Sequence, residues 1–500
     1  MNRKNFYLLF LVFSIIFILP VWLFPFLPFV DLPQHLNFAY VLRHYSSYQA
    51  IYSLRLFPMH NTLHLFFTYL FSFLFPLEIS NKIYVTLSLL LIPLSLLFFL
   101  KSIGANEYFS LLGFLLSYNY NLFWGFMGIN LGTALILFLI GYEVRYLKGE
   151  RRIKYLFLSA FLFFLLFLAH SLFYLFAFFT FFLLFLFIPA KKKVPLLLPL
   201  ISVFFITFLP WQISQFRGEG SELEMQFREY ISPSALYSNL WEFFRRVGVK
   251  TDESYIFILK IIFLLSLFTT GYLIYKKGFS FLFSTFSYRS LLIFSFSAFL
   301  FYAFFPGMYT EAVFLNERFA CLLFLLVIAY LALNWKDFSP RFLPYLLSFI
   351  ISFVGLDIGL RIALFNREAK PVKELLGQLP EGRKLAGLIY QKRPKADLFG
   401  YDCFLHFPAY YAIWKKGLVG FTFGYIRYSP IIYRDDYPLP RIDEWETWHS
   451  VFPEGYENYD YFLVAGEPRL SDLVIIERWH LLAKKGIWSL YEVPKELKRD

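Results

Sequence analysis

Apolar runs of membrane-crossing length recur along this chain and restrict its fold more than any other feature. Residues 6–27 carry no charge. Comparable runs lie near 81–100, 108–122, 126–143, 153–169, 171–189 and 194–211, then 254–274, 287–305, 318–334 and 341–361. Each is long enough, or nearly so, to cross a hydrocarbon core of ~30 Å. The first run follows a basic start but lacks a small-residue cleavage site, so it reads as a retained span rather than a signal peptide. The charges divide the chain further. Residues 1–361 hold 43 Lys, Arg, Asp and Glu, or 12%, and residues 362–500 hold 39, or 28%. Of the +12 formal charge, +11 sits on the apolar part, between its runs rather than along one groove. That pattern argues against nucleic acid as a partner. A soluble single-core enzyme, a disordered chain and a disulfide scaffold are excluded. The expected architecture is an α-helical polytopic membrane protein of about eleven transmembrane helices over 1–361, with a C-terminal extracytoplasmic α/β domain over 362–500.

Basic residues orient the spans. With about eleven crossings, Arg3 and Lys4, Lys101, the Glu143–Lys154 cluster, Lys191–Lys193, Lys276, Lys277 and Arg289, and Lys336 with Arg341 all fall on the cytoplasmic side. Counting Asn61–Phe75 as a twelfth span would move most of them outside, so 61–76 reads as an interfacial helix stopped by Pro76. The N-terminus is then cytoplasmic and the C-terminal domain outside the cytoplasmic membrane. Isolated polar residues gather on the outer side, in the first outer loop 28–80, at Asn119, Asn121 and Asn130, at His170, in the long loop 212–253, and at Glu311, Glu317 and Arg318. In the C-terminal part, Ala369–Leu379 is expected as a helix, Lys384–Tyr390 and Tyr459–Ala465 as strands, Ser471–Lys484 as a helix and Trp488–Val493 as a last strand. Cys321 and Cys403 have neither zinc-like nor redox-motif spacing and read as buried structural thiols.

Asp31 is the sharpest candidate for chemistry, because it immediately follows the first span. A carboxylate there can take a proton from a hydroxyl group if it is partly desolvated. The competing reading is a helix N-cap, supported by Pro33 in the first turn. His35 follows one helical turn later. Asn119, Trp124 and Asn130 surround a tight turn with Gly125 and Gly128. They would suit a sugar ring through stacking and amide hydrogen bonds, or would serve as an interfacial belt and helix caps. His170 could bind a phosphate or sugar hydroxyl, or simply finish a hairpin. Glu317 and Arg318 open a span, and Arg is shaped to grip phosphate oxygens.

The segment Asp31–Leu32–Pro33–Gln34–His35–Leu36 just past span one resembles the GT-C superfamily of membrane glycosyltransferases, which use polyprenyl-phosphate sugars. The interfacial stretch 61–76, the turn Gly125–Asn130, the segment Asn316–Phe319 and a closing outer α/β domain resemble that family as well. The resemblance implies that Asp31 is the catalytic aspartate and, by a weaker match, that Arg318 holds the lipid phosphate; His35, Asn119, Trp124, Asn130, His170 and Glu317 are the further substrate-binding candidates read from the residues themselves. It implies a polyprenyl-phosphate-linked sugar as donor, a saccharide, lipid or protein as acceptor, and membrane lipid as surroundings. Many members pair that aspartate with a second acid, whereas the next acid here is Glu78. The site is therefore either metal-free or completes a divalent (Mg or Mn) site from Asp31 with His35, Glu311 or Glu317. Inverting transfer with Asp31 as general base is the expected reaction. The alternative is a transporter or flippase of lipid-linked saccharide with an outer docking domain.

Overall fold

The computed structural model describes residues 3–55, 59–149, 153–188, 190–210, 233–309, 312–336, 342–426, 429–434, 437, 439–444 and 454–497. Outside them lie residues 211–232 of the long outer loop, Glu311, Arg151, Arg152 and Arg341, and so do the side chains of Lys191–Lys193.

Among the described residues seven helices are long and apolar enough to cross a membrane: Arg3–Leu23, Leu77–Ile103, Met127–Lys148, Glu253–Lys277, Phe286–Phe304, Glu317–Asn334 and Leu343–Gly377. Three shorter apolar helices, Lys154–Ala169, Ser171–Leu186 and Leu197–Phe208, stand between the third and fourth of these. Phe257, Leu264, Leu267 and Phe268 all point outward from Glu253–Lys277. Apolar exposure on that scale suits lipid and not water, so the chain is a multi-pass membrane protein. The run 108–122 departs from a plain span. Glu107–Leu116 is a 3-10 helix and Tyr120–Trp124 a short α-helix, both packed inside the bundle. Irregular backbone at that depth is tolerated where protein surrounds it. The helix Leu63–Phe71 has nine residues and reaches only about 13 Å. It is therefore too short to be a span, and Leu70 on it and Phe73 and Leu74 after it are exposed.

The chain between the first span and the helix Leu32–Arg43 is irregular, and other elements satisfy its backbone. Asn366, on the last long helix, accepts from Phe26 N at 3.1 Å and donates to Phe26 O at 2.9 Å. Val30 N donates to Phe123 O at 2.9 Å, and Asp31 N to Trp124 O at 3.2 Å. The buried Cys403 thiol donates to Pro28 O. One end of the bundle is thereby stitched to the segment that follows the last span.

That segment builds a five-stranded sheet. Lys384–Ile389 runs parallel to Leu418–Val419 on one side and to Tyr461–Ala465 on the other. Tyr461–Ala465 then pairs antiparallel with Trp488–Glu492, and His480–Lys485 forms the edge. The helix expected over Ser471–Lys484 is corrected here. It spans only Leu470–Ile476, and His480–Lys485 is a strand. Trp479 leaves the helix to stack on Phe462, at 4.3 Å between centroids, and Gly486 turns the chain back at φ +61 into a hairpin. A second pairing reaches the segment between the first two long helices. Tyr52–Leu54 runs antiparallel to Ile431–Tyr433, with Tyr52 stacked on Tyr433. Gln34 bonds both Phe421 O and Phe423 N. Residues 421–426 and 429–433 are thus fixed over the residues that follow span one.

Candidate active site

Below residues 421–426 and 429–433 lies a cavity of about 470 Å³ whose walls include Asp31, His35, His60, Asn61, Trp124, His170, Phe314, Arg318, Phe421 and Arg441. Five of the sequence candidates therefore meet in one place, although His170 and Arg318 stand more than a hundred residues from Asp31.

A glycine turn brings them together. Gly125 has φ +84, and a Cβ there would lie 2.6 Å from Asp31 N. Gly128 lies so close to Ala169 O and Asn61 Oδ1 that a Cβ would collide with both. The turn therefore brings span ends and the segment between the first two long helices within van der Waals distance. His35 Nε2–H donates to Gly125 O at 3.0 Å, and burial holds His35 below its usual pKa, hence neutral. Gly125→Ala is expected to lower the unfolding midpoint and the activity together. Gly104→Ala, also at positive φ (+74) but with nothing within 4 Å, should cost only about 1–2 kcal/mol of backbone strain. Thermal unfolding of both variants beside wild type checks this.

Asp31 occupies the N-cap position of Leu32–Arg43, yet its side chain makes no capping hydrogen bond. Capping alone does not explain this residue. Its Oδ1 lies 3.6 Å from His406 Nε2, and His406 Nδ1 lies 2.5 Å from Glu444 Oε2. The imidazole is fully buried and the Glu444 side chain 1% exposed. Burial by itself pushes a histidine down. Glu444 and Asp31 outweigh it and raise His406 to about 9, so an imidazolium sits between two carboxylates.

Arg318 is buried and lines the same cavity. Its Nη2 donates to Val313 O at 2.9 Å, and its guanidinium lies 4.0 Å over the Phe126 ring. Nη1 faces His170 Nε2 at 3.0 Å, while Nε has no partner among the described residues. His170 Nδ1 accepts from Leu172 N and so caps the helix Ser171–Leu186. A neutral ring used in that way carries its proton on Nε2, so two N–H groups, Nε2 and Arg318 Nη1, stand 3.0 Å apart. Beside them, burial first and then the Arg318 charge lower His60 to about 4. Phe314 holds φ +58, an uncommon backbone state for a bulky residue, with its ring 4.7 Å from Trp124.

Three candidates do not face the cavity. Asn119 caps Tyr120–Trp124 by accepting from Asn121 N and Leu122 N, and it donates to Asn130 Oδ1. Both amides are fully buried beneath the turn, so they shape Trp124 instead of touching what it faces. Glu317 turns away to Arg246 at 3.2 Å and to the Tyr120 hydroxyl. The residues the sequence did not single out are His406, Glu444, Phe421, Phe423 and Arg441. Their only sequence signal is a histidine set in the apolar run Phe404–Phe407. No three His, Cys, Asp or Glu side chains among the described residues converge as metal ligands do. Asp31 instead faces an imidazolium and shares its cavity with two guanidinium groups, so the donor set does not fit a divalent cation. Glu311 lies outside the described residues.

No family model matches the chain, and no curated protein matches it. Solved structures do. ArnT from Cupriavidus metallidurans bound to undecaprenyl phosphate aligns over 100% of both chains at a TM-score of 0.52 and 9% identity. The same protein in the apo state aligns over 100% of both at 0.52 and 10%. The Archaeoglobus fulgidus oligosaccharyltransferase in complex with Zn and sulfate matches at 0.49 and 10%, over 91% of this chain and 68% of that one. At such identity the ArnT likeness establishes the fold, which is the GT-C-like one expected from the sequence.

Proposed function

We propose that this chain is a membrane glycosyltransferase that moves a sugar from a polyprenyl phosphate to an acceptor hydroxyl at the outer face of the cytoplasmic membrane, with inversion. One observation carries the reading. A carboxylate without a capping role and a buried arginine with an unused N–H line the same cavity. The ArnT structure that shares this fold has undecaprenyl phosphate bound.

In this mechanism the donor phosphate lies against Arg318 and His170, where its oxygen supplies the acceptor that their facing N–H groups lack. The lipid leaves along the apolar rim of Leu65, Ile129 and Val313. The acceptor hydroxyl enters under residues 421–426 and 429–433. Asp31 takes its proton as the acceptor oxygen bonds to the anomeric carbon. The bond from that carbon to the phosphate breaks on the far side, and its electron pair leaves with the polyprenyl phosphate. Arg318 stabilises the charge gathering there, which is usually the largest electrostatic contribution. No step is routed through a metal, because among the described residues no three side chains assemble as its ligands. The polar groups lie at span ends around this cavity, whereas a transporter gathers them near mid-depth.

Undecaprenyl phosphate added to the purified protein in nanodiscs is expected to raise its unfolding midpoint. Ligand at a hundredfold excess over Kd stabilises by about 2.7 kcal/mol. Undecaprenol, which lacks the phosphate, should raise it far less. Equal shifts for the two lipids would overturn the donor assignment.

A further inference from the structure

We propose that His406, contributed by the segment after the last span, is a positioning residue for Asp31, and that Glu444 holds it in that role. This rests on the reading of Asp31 as the base. The geometry is that of a relay across two parts of the chain. Glu444 grips Nδ1 from behind, and the Nε2 edge is turned toward Asp31 Oδ1. Phe421 stacks on the imidazole at 5.5 Å, and Phe423 closes on it edge-on, so the ring has little freedom to rotate. Asp31 lines a cavity walled by Phe38, Trp124, Phe126 and Phe314. A fixed cation beside Oδ1 holds the carboxylate in one orientation and leaves the other oxygen for the acceptor hydroxyl. The proton passes from the acceptor to Asp31, and the imidazolium keeps its own throughout.

Other charges reach this ring from each side. Asp31 and His35 face it from the helix after span one, with His35 neutral. Glu444 and, behind it, the buried Lys392 face it from the outer segment, and burial lowers Lys392 to about 8. Arg441 lies over the far face of Phe421. Among these, Glu444 is the largest influence raising His406.

The sign of the linkage follows from that rise. A histidine held above its unfolded value contributes stability that is complete below about pH 6.5 and lost as pH rises through about 9. Two variants test the relay in the full-length protein. Glu444→Gln keeps an oxygen on Nδ1 and removes the charge. Asp31→Asn removes the charge on the other side. In each, the alkaline loss of thermal stability is expected to move down by about 1–3 pH units. Release of undecaprenyl phosphate from undecaprenyl-phosphate hexoses should show the same downward move of its alkaline limb in Glu444→Gln, with lipid binding unchanged. An alkaline stability transition in Asp31→Asn that coincides with wild type would overturn the contact between His406 and Asp31. That result would leave the base reading standing, which fails instead if Asp31→Asn still transfers sugar.

Discussion

Asp31→Asn is expected to reduce transfer by about 10²–10⁴-fold, the range over which a positioned general base contributes. The substitution keeps the shape and removes the site at which the proton lands. Its interpretation is unusually clean because of what the carboxylate does not do. It makes no capping hydrogen bond to Leu32–Arg43, so that helix should start where it does now. The backbone bonds that seat the residue run from Val30 N and Asp31 N to Phe123 O and Trp124 O, and an amide side chain leaves them in place. Donor binding should be retained, since the proposed mechanism assigns the phosphate to Arg318 and His170. A labelled sugar that stays on the lipid while undecaprenyl phosphate still stabilises the variant is the expected pattern. Turnover within a few-fold of wild type would remove Asp31 from the chemistry. Loss of lipid binding as well would point to a collapsed cavity instead.

What could be read in advance, and what could not, follows from the range over which each signal acts. The spans were legible because lipid demands long apolar runs. The 3-10 helix Glu107–Leu116 was not, since a run enclosed by protein has the same composition as one that faces lipid. The meeting of Asp31, Trp124, His170 and Arg318 was partly legible. All four stand at the ends of apolar runs, and the topology expected from the basic residues puts them on one side. Asn119, Asn130 and Glu317 satisfied that rule too and still face elsewhere. Side-chain direction at the Gly125 turn depends on contacts with Asp31, Asn61 and Ala169 that no local pattern encodes. His406 and Glu444 were out of reach for a related reason. They approach Asp31 through contacts between residues more than 350 positions apart, Cys403 with Pro28, Gln34 with Phe421 and Phe423, and Tyr52–Leu54 with Ile431–Tyr433. The edge strand His480–Lys485 escaped because its helix-like composition is overruled by pairing with Trp488–Glu492.

Arg318→Gln is expected to weaken undecaprenyl phosphate binding by about 10–100-fold and to slow transfer further still. A hydrogen bond to a charged group contributes about 1.5–3 kcal/mol, and the buried guanidinium can offer Nε as well as part of its Nη1 edge. Loss of one preorganised donor facing growing negative charge costs about 10²–10³ in kcat. The two effects should therefore compound in kcat/KM. Arg318→Lys discriminates charge from shape. A lysine ammonium restores the charge as a point, without the planar fork that spans two phosphate oxygens and lies flat on Phe126 at 4.0 Å. It should recover part of the binding and little of the rate. Arg246 provides the control, because it pairs with Glu317 outside the cavity walls. Arg246→Gln should lower the unfolding midpoint while leaving lipid affinity near wild type. Isothermal titration or scintillation proximity with labelled undecaprenyl phosphate measures all three variants. If Arg318→Gln binds the lipid as tightly as wild type while Arg246→Gln does not, the phosphate belongs on the other side of the Trp124 turn, and the direction of attack proposed for Asp31 is wrong with it.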